Sequence, residues 1–160
     1  MYNKYIASLF YQCGTMKLDR VQITRFRNLS SVSFSPSPSL TIIQGVNGSG
    51  KSSLLEALYY LGFGRSFRTN KHGSVIQHDE DAFSVFSSCK NDDGDILKLG
   101  IQRSRNESFT CSINGQHSTK LSDLVSLVPI QLFTPQSTDL IIGSPAERRR
   151  FCDWGLFHVK

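Results

Sequence analysis

Features that define several other classes of protein are missing from these 160 residues. No run of about 18 apolar residues occurs, so we expect no membrane-spanning helix. The histidines show no metal-ligand spacing, and the chain has neither internal repeats nor low-complexity segments. No cysteine is part of a C-x-x-C pair, which argues against a zinc site or a disulfide framework and is typical of a reducing cytosol. We expect the cysteines to be reduced and to lie in the core or on strands: Cys13, Cys89, Cys111 and Cys152.

Length and composition indicate one domain. An apolar content of 39% is typical of a soluble globular protein, and 160 residues are enough for one core. The net charge of +5 permits a polyanionic partner without identifying one. A strand pattern begins only at Met16, so we expect residues 1–15 to be a disordered extension outside a domain that covers residues 16–160.

The most informative segment is the glycine-rich stretch at residues 45–52, which matches G-x-x-x-x-G-K-[ST] at every fixed position. An apolar, β-branched run at residues 40–44 precedes it and predicts a buried strand, and residues 53–61 carry leucines at helical spacing. Glycines let a backbone approach a ligand closely, and the start of a helix adds unpaired N–H donors. The sequence therefore predicts a phosphate-binding loop, formed by Gly45, Val46, Asn47, Gly48, Ser49, Gly50, Lys51, Ser52 and Ser53.

Three side chains of this loop have predicted roles. Lys51 would bring a positive charge to the β- and γ-phosphates of a nucleotide, and Ser52 would offer its hydroxyl to Mg²⁺. Ser53 would donate a hydrogen bond to the α-phosphate. The alternative is a glycine turn that matches the pattern by chance, and the flanking strand and helix argue against it.

The rest of the chain predicts an α/β nucleotide-binding sheet with an antiparallel β insertion after the loop's helix. A glycine stop at Gly62–Gly64 ends that helix, and Asn114-Gly115 is a strong hairpin pattern. Residues 129–133 predict a buried strand, and Ser144-Pro145 predicts the start of a helix. The other predicted elements are strands at residues 18–24, 32–34, 83–87, 96–101 and 109–113 and a short helix at 121–128.

Motifs outside the loop carry a family resemblance. They are the segments Phe26–Leu29, Leu55–Tyr59, Gly64–Arg68, Gly143–Pro145 and Arg148–Asp153, the last with Cys152 where leucine is expected. Together with the loop they make residues 16–160 resemble the amino-terminal part of the RecF family of bacterial DNA replication and repair proteins. The resemblance implies a P-loop NTPase fold of the ABC/SMC-like ATPase head type.

The resemblance also implies a function. Family members bind ATP, dimerise around it, hydrolyse it slowly and bind single-stranded or gapped DNA. They act in the cytoplasm with RecO and RecR, in recombinational repair and the SOS response. By position in the family, Arg27 and Asn28 are expected near the nucleotide, and Gln131 is expected to sense the γ-phosphate through Mg²⁺, with Gln136 as the competing candidate.

The chain departs from the family beyond Ser52. No apolar strand there ends in the two carboxylates of a Walker B motif, and the family's signature motif is missing as well. The acidic run Asp79–Asp81 is preceded by Gln77-His78 instead of an apolar strand, so we interpret it as a solvated loop. We therefore expect a truncated, partial head with weak phosphate binding, negligible hydrolysis and unpaired sheet edges.

Alternatives remain open at this point. The chain could be another SMC/ABC-like ATPase head, or a remnant without activity. The basic groups Arg65, Arg68 and Lys71, and Arg148–Arg150, could contact DNA phosphates or be ordinary solvated or paired charges.

Overall fold

The computed structural model describes residues 17–91, 93–106, 108–118, 120–125, 127–128, 130–134, 137 and 142–158. The expectation for residues 1–15 and the alternative at Gln136 lie outside the described residues.

Six antiparallel strands form one sheet in the order β2-β1-β3-β4-β5-β6. The strands predicted at the start of the chain and in the insertion are confirmed, with longer bounds in most cases. Because β1 pairs with both β2 and β3, the predicted insertion is continuous with the first two strands and does not form a separate sheet. The strands are β1 (Lys17–Phe26), β2 (Leu29–Phe34), β3 (Ala82–Lys90), β4 (Ile96–Ser104), β5 (Phe109–Ile113) and β6 (Gln116–Ser118).

One face of the sheet is apolar because its strands alternate. Ile23 of β1 lies opposite Val85 of β3, which lies opposite Ile101 of β4, and all three side chains are buried. The β5–β6 hairpin turns at Asn114-Gly115, where both residues have positive φ (51° and 84°), as a type I′ turn requires. The hairpin prediction is confirmed.

The helices are α1 (Lys51–Phe63), α2 (Leu121–Val125) and α3 (Pro145–His158), with a short 3-10 helix at His72–Val75. The predicted glycine stop is confirmed, since Gly64 takes φ 62° and its N–H donates to the Tyr60 carbonyl at 2.7 Å. Helix α3 begins at Pro145, so the predicted helix start is confirmed. No helix within the described ranges is long and apolar enough to cross a membrane.

Helix α1 packs against the apolar face of the sheet. The rings of Phe26, Tyr60 and Phe83 meet edge to face, with centroids 5.0 Å apart for Phe26–Phe83 and for Tyr60–Phe83. Aromatic pairs favour this geometry. The contact fixes α1 against β1 and β3, and so fixes the loop that precedes it.

Two strand predictions are wrong. Residues 40–44 form no strand, and Leu40 and Ile42 are 61% and 75% exposed. Residues 130–133, the described part of the segment predicted at 129–133, have no regular structure either, although Ile130 is buried. An apolar run becomes a strand only by hydrogen bonding to a neighbouring strand, and neither segment belongs to the sheet of the described residues.

The cysteines partly follow the prediction. Cys89 on β3 and Cys111 on β5 are buried free thiols, as expected for strand residues. Cys152 is exposed on α3, so it belongs to neither the core nor a strand. Cys13 lies outside the part of the chain that the structure describes.

Candidate nucleotide-binding site

The glycine-rich loop has a backbone that only glycine adopts easily. Gly48 and Gly50 have φ of 83° and 98°, in the left-handed region. Gly50 is the residue before α1, and the first hydrogen bond of the helix runs from the Leu54 N–H to the Gly50 carbonyl at 2.9 Å. The N–H groups of residues 51–53 therefore have no acceptor within the helix.

The start of α1 carries neither a capping side chain nor an acidic residue in its first turn. The positive end of the helix dipole and the N–H donors are thus left for an external anion. A Cβ placed on Gly48 would find no heavy atom within 4 Å, so the loop has open space beside it.

The ammonium group of Lys51 folds back over the loop. Its Nζ donates to the carbonyls of Gly45 and Val46 at 2.8 and 2.7 Å. These bonds draw the two ends of the loop around a positive charge. A phosphate group here would meet that charge next to the uncapped helix start.

Asn28 connects the β1–β2 turn to both the loop and the helix. Its Nδ2 donates to the Gly48 carbonyl at 3.0 Å, and its Oδ1 accepts a hydrogen bond from the Ser53 hydroxyl at 2.7 Å. The neighbouring Leu29 packs so closely that a Cβ on Gly50 would lie 2.6 Å from its Cδ2. The structure thus brings Asn28 to the loop. The Ser53 hydroxyl, predicted to contact phosphate, donates its hydrogen bond to Asn28 Oδ1.

Glu56 is a buried carboxylate that sequence reasoning missed. Its side chain has no exposed surface, and Arg27 binds it with two hydrogen bonds, Nη2 to Oε1 at 2.7 Å and Nε to Oε2 at 3.1 Å. The Ser66 hydroxyl donates to Oε1, and Arg68 Nη1 lies 3.4 Å from Oε2. Two residues of the Gly64–Arg68 motif therefore bind the Glu56 carboxylate together with Arg27. The sequence indicated Glu56 only as a member of the Leu55–Tyr59 motif, without a role of its own.

Arg27 was expected to contact the nucleotide. In the structure its guanidinium is bound to Glu56, and its Nη1 also donates to the Ser74 carbonyl at 2.8 Å. The residue lies beside the loop, as expected, and its contacts are with the protein. Direct contact with the nucleotide stays a prediction.

Gln131 lies beside the second half of α1, whereas Ser52 lies in its first turn. Gln131 lines a cavity of about 470 Å³ with Tyr59 and Phe63, from the second half of α1. Ser52 lies in the first turn, and seven residues of helix separate it from Tyr59 by about 10 Å along the axis. Within the described chain no group of three or more His, Cys, Asp or Glu side chains could hold a metal ion. The pairing of Gln131 with Ser52 around Mg²⁺ stays a prediction.

The charged groups away from the loop have specific contacts. Asp79 is 87% exposed in a loop and Glu80 pairs with Arg25 at 3.1 Å, which confirms that the acidic run is not part of a strand. Arg148 Nη1 donates to the Gly143 carbonyl at 2.9 Å, and the next residue, Arg149, is exposed.

A glycine-rich loop that leads into an uncapped helix, packed on a β-sheet, defines the class of P-loop nucleotide-binding domains. The chain belongs to the RecF/RecN/SMC N-terminal domain family, whose model matches residues 17–137. This membership confirms the resemblance drawn from the motifs and the α/β ATPase-head fold class.

Within this family, the chain is similar to curated RecF proteins. The DNA replication and repair protein RecF of Pseudoalteromonas atlantica is 55% identical over 91% of this chain, and that of a Marinomonas species is 46% identical over 89%. These regions cover 40% and 39% of the two relatives, so the chain spans about 40% of the length of the curated proteins it matches.

Solved structures agree. A structure of the recombination mediator protein RecF-ATP in the RecFOR pathway superposes with a TM-score of 0.76 at 27% identity, over 91% of this chain and 39% of that one. A structure described for ATP-driven dimerisation and DNA-stimulated activation of SMC ATPases gives a TM-score of 0.71 at 21% identity, over 86% of this chain and 98% of that one. At that identity the second similarity supports the fold alone.

Proposed function

We propose that this chain is the part of a RecF-type DNA replication and repair protein that binds ATP with Mg²⁺. The observation that carries the proposal is the uncapped start of α1, which comes after two left-handed glycines and adjoins the ammonium group of Lys51. Backbone N–H donors, a helix dipole and a full positive charge at one place favour a phosphate chain over a neutral ligand.

The residues divide into those that contact the ligand and those that support them. Lys51 would exchange its bonds to the Gly45 and Val46 carbonyls for phosphate oxygens, and Ser52 would bind the magnesium ion. Asn28 would act mainly by fixing the loop, because both polar atoms of its side chain are already bonded to protein. The same geometry suggests a supporting role for Arg27.

We propose further that the chain binds ATP without hydrolysing it. Its sequence after Ser52 contains no apolar strand that ends in two carboxylates. Such carboxylates position Mg²⁺ and the attacking water, and phosphoryl transfer depends on that placement. Slow release of labelled phosphate that disappears in Lys51→Ala would argue against this part of the proposal.

The wider role is proposed from the RecF relatives. It comprises cytoplasmic action on single-stranded or gapped DNA, ATP-dependent homodimerisation, cooperation with RecO and RecR, and a part in the SOS response. The net charge of +5 is compatible with a nucleic-acid partner, and the exposed arginines of α3 are the described candidates for phosphate contacts.

The test is a titration with a fluorescent ATP analogue in the presence of Mg²⁺. The wild-type chain should bind saturably, and Lys51→Ala should weaken binding by tenfold or more, because a charge-assisted hydrogen bond contributes about 1.5–3 kcal/mol. Lys98→Ala is the matched control, since it removes an exposed lysine from β4. Equal affinity of wild type and Lys51→Ala would overturn the proposal.

A further inference from the structure

We propose that Glu56 is a positioning residue for the phosphate loop, which it holds in shape through Arg27 and Asn28 without contacting the ligand. The proposal rests on the proposed nucleotide binding for its consequence. Its structural content, a chain of contacts from a buried carboxylate to the Gly48 carbonyl, stands on geometry alone.

The first step is the burial of Glu56. Its side chain is fully buried, and a buried carboxylate is tolerated only when paired and hydrogen-bonded. Arg27 provides the stronger pairing, with two nitrogens on two oxygens in the fork geometry specific to arginine. Arg68, 48% exposed and 3.4 Å away, is a weaker partner. The position of Arg27 is therefore set chiefly by Glu56.

The second step is the backbone of Arg27. Its φ is 55°, a left-handed conformation that is unfavourable for a residue with a side chain. The conformation is held by the side-chain bonds to Glu56 and Ser74 and by the Arg27 N–H, which donates to the Val75 carbonyl at 2.7 Å. Without the carboxylate, the guanidinium would lose its main anchor and the turn could relax.

The third step connects the turn to the loop. Asn28 comes directly after Arg27 and bonds to the Gly48 carbonyl and to the Ser53 hydroxyl. Ser53 and Glu56 are three residues apart on α1, and such residues are neighbours on a helix surface. One face of α1 therefore anchors two successive residues of the turn. A change in Arg27 should move Asn28, and with it the loop carbonyl that Asn28 holds.

The experiment compares Glu56→Gln, Asn28→Ala and the double variant in the 160-residue chain. Glu80→Gln is the matched control, because it neutralises a glutamate paired with an arginine outside the loop. We measure affinity for a fluorescent ATP analogue, the thermal midpoint of unfolding, and amide hydrogen exchange of the ligand-free chain at residues 45–50.

Glu56→Gln should lower the affinity for the ATP analogue by about tenfold and speed amide exchange in the loop. Glu80→Gln should change neither quantity. If Glu56 acts through Asn28, the double variant should bind about as weakly as Asn28→Ala alone. If Glu56 only stabilises the fold, Glu56→Gln should lower the thermal midpoint, and the affinity losses of the two single variants should add in free energy in the double variant.

Two results would overturn the inference: unchanged loop exchange in Glu56→Gln, or affinity losses that multiply in the double variant. Failure of the wild type to bind the analogue would refute the proposed function, and the exchange measurement would still decide the role of Glu56. If Glu56→Gln does not fold, Ser66→Ala removes one hydrogen bond to the carboxylate and should produce a smaller affinity loss. No affinity loss in a folded Ser66→Ala would then count against the inference.

Discussion

The close packing of Gly50 against Leu29 makes a quantitative prediction about two glycines of the same loop. Both Gly48 and Gly50 have positive φ, so alanine at either position carries a conformational cost of about 1–2 kcal/mol. Only at Gly50 does the new Cβ also collide, at 2.6 Å from Leu29 Cδ2, whereas nothing lies within 4 Å at Gly48.

The collision adds an overpacking cost, because Leu29 is buried and has little room to move. Overpacking in a core typically costs about 1–3 kcal/mol, so Gly50→Ala should destabilise by about 3 kcal/mol in total. For a chain of this size that corresponds to a loss of roughly 6–12 °C in the midpoint, against roughly 2–8 °C for Gly48→Ala.

The assay is thermal unfolding monitored by circular dichroism, with urea denaturation as a second measure. Gly73→Ala is a neutral control, since its φ is not positive and its added Cβ meets nothing within 4 Å. In a Leu29→Ala background the 2.6 Å contact is removed and the Asn28 amide, 3.3 Å from the added Cβ, becomes its nearest neighbour, so the extra cost of Gly50→Ala over Gly48→Ala should shrink. An equal loss for the two single variants in the wild-type background would refute the steric argument.

Two further predictions concern pH and DNA. Burial raises the pKa of the Cys89 thiol and of the Tyr60 hydroxyl, and the Arg103 guanidinium opposes only part of the shift in the pKa of Tyr60. Both groups become charged when they lose a proton, and burial disfavours the charged form. As the pH rises, the unfolded chain therefore releases these protons at a lower pH than the folded chain does. The free energy of unfolding should be unaffected by them below pH 9.0, the ordinary value for the thiol, and should fall as pH rises beyond it. Urea denaturation at pH 8 and pH 10 checks this, and a smaller fall in Cys89→Ala is required. For DNA, Arg149→Gln should flatten the salt dependence of binding to gapped DNA by about one unit of slope, and an unchanged slope would remove this residue from the contact surface.

Local patterns predicted those parts of the fold whose cause is local. The hairpin at Asn114-Gly115, the helix stop at Gly64 and the helix start at Pro145 each depend on a backbone preference of one or two residues. The antiparallel strands could be predicted because apolar and polar residues alternate along them, which shows which side of each strand faces the core.

The errors arise where structure depends on a distant partner. Residues 40–44 have the composition of a buried strand, yet the exposure of Ile42 results from the lack of a pairing strand among the described residues, which composition cannot reveal. Glu56 was missed for a similar reason. Its partners Arg27 and Arg68 are 29 and 12 residues away, and only the packing of α1 against the β1–β2 turn brings them together.

The most direct test of the central claim is an NMR titration of the isotope-labelled chain with ATP and Mg²⁺, monitored at the backbone amides. The largest shift changes should fall on Gly48, Gly50, Lys51 and Ser52, and the same changes in Lys51→Ala should require at least tenfold more ATP. Shifts that cluster elsewhere on the chain, or that saturate at the same ATP concentration in Lys51→Ala as in the wild type, would contradict a phosphate site at the start of α1.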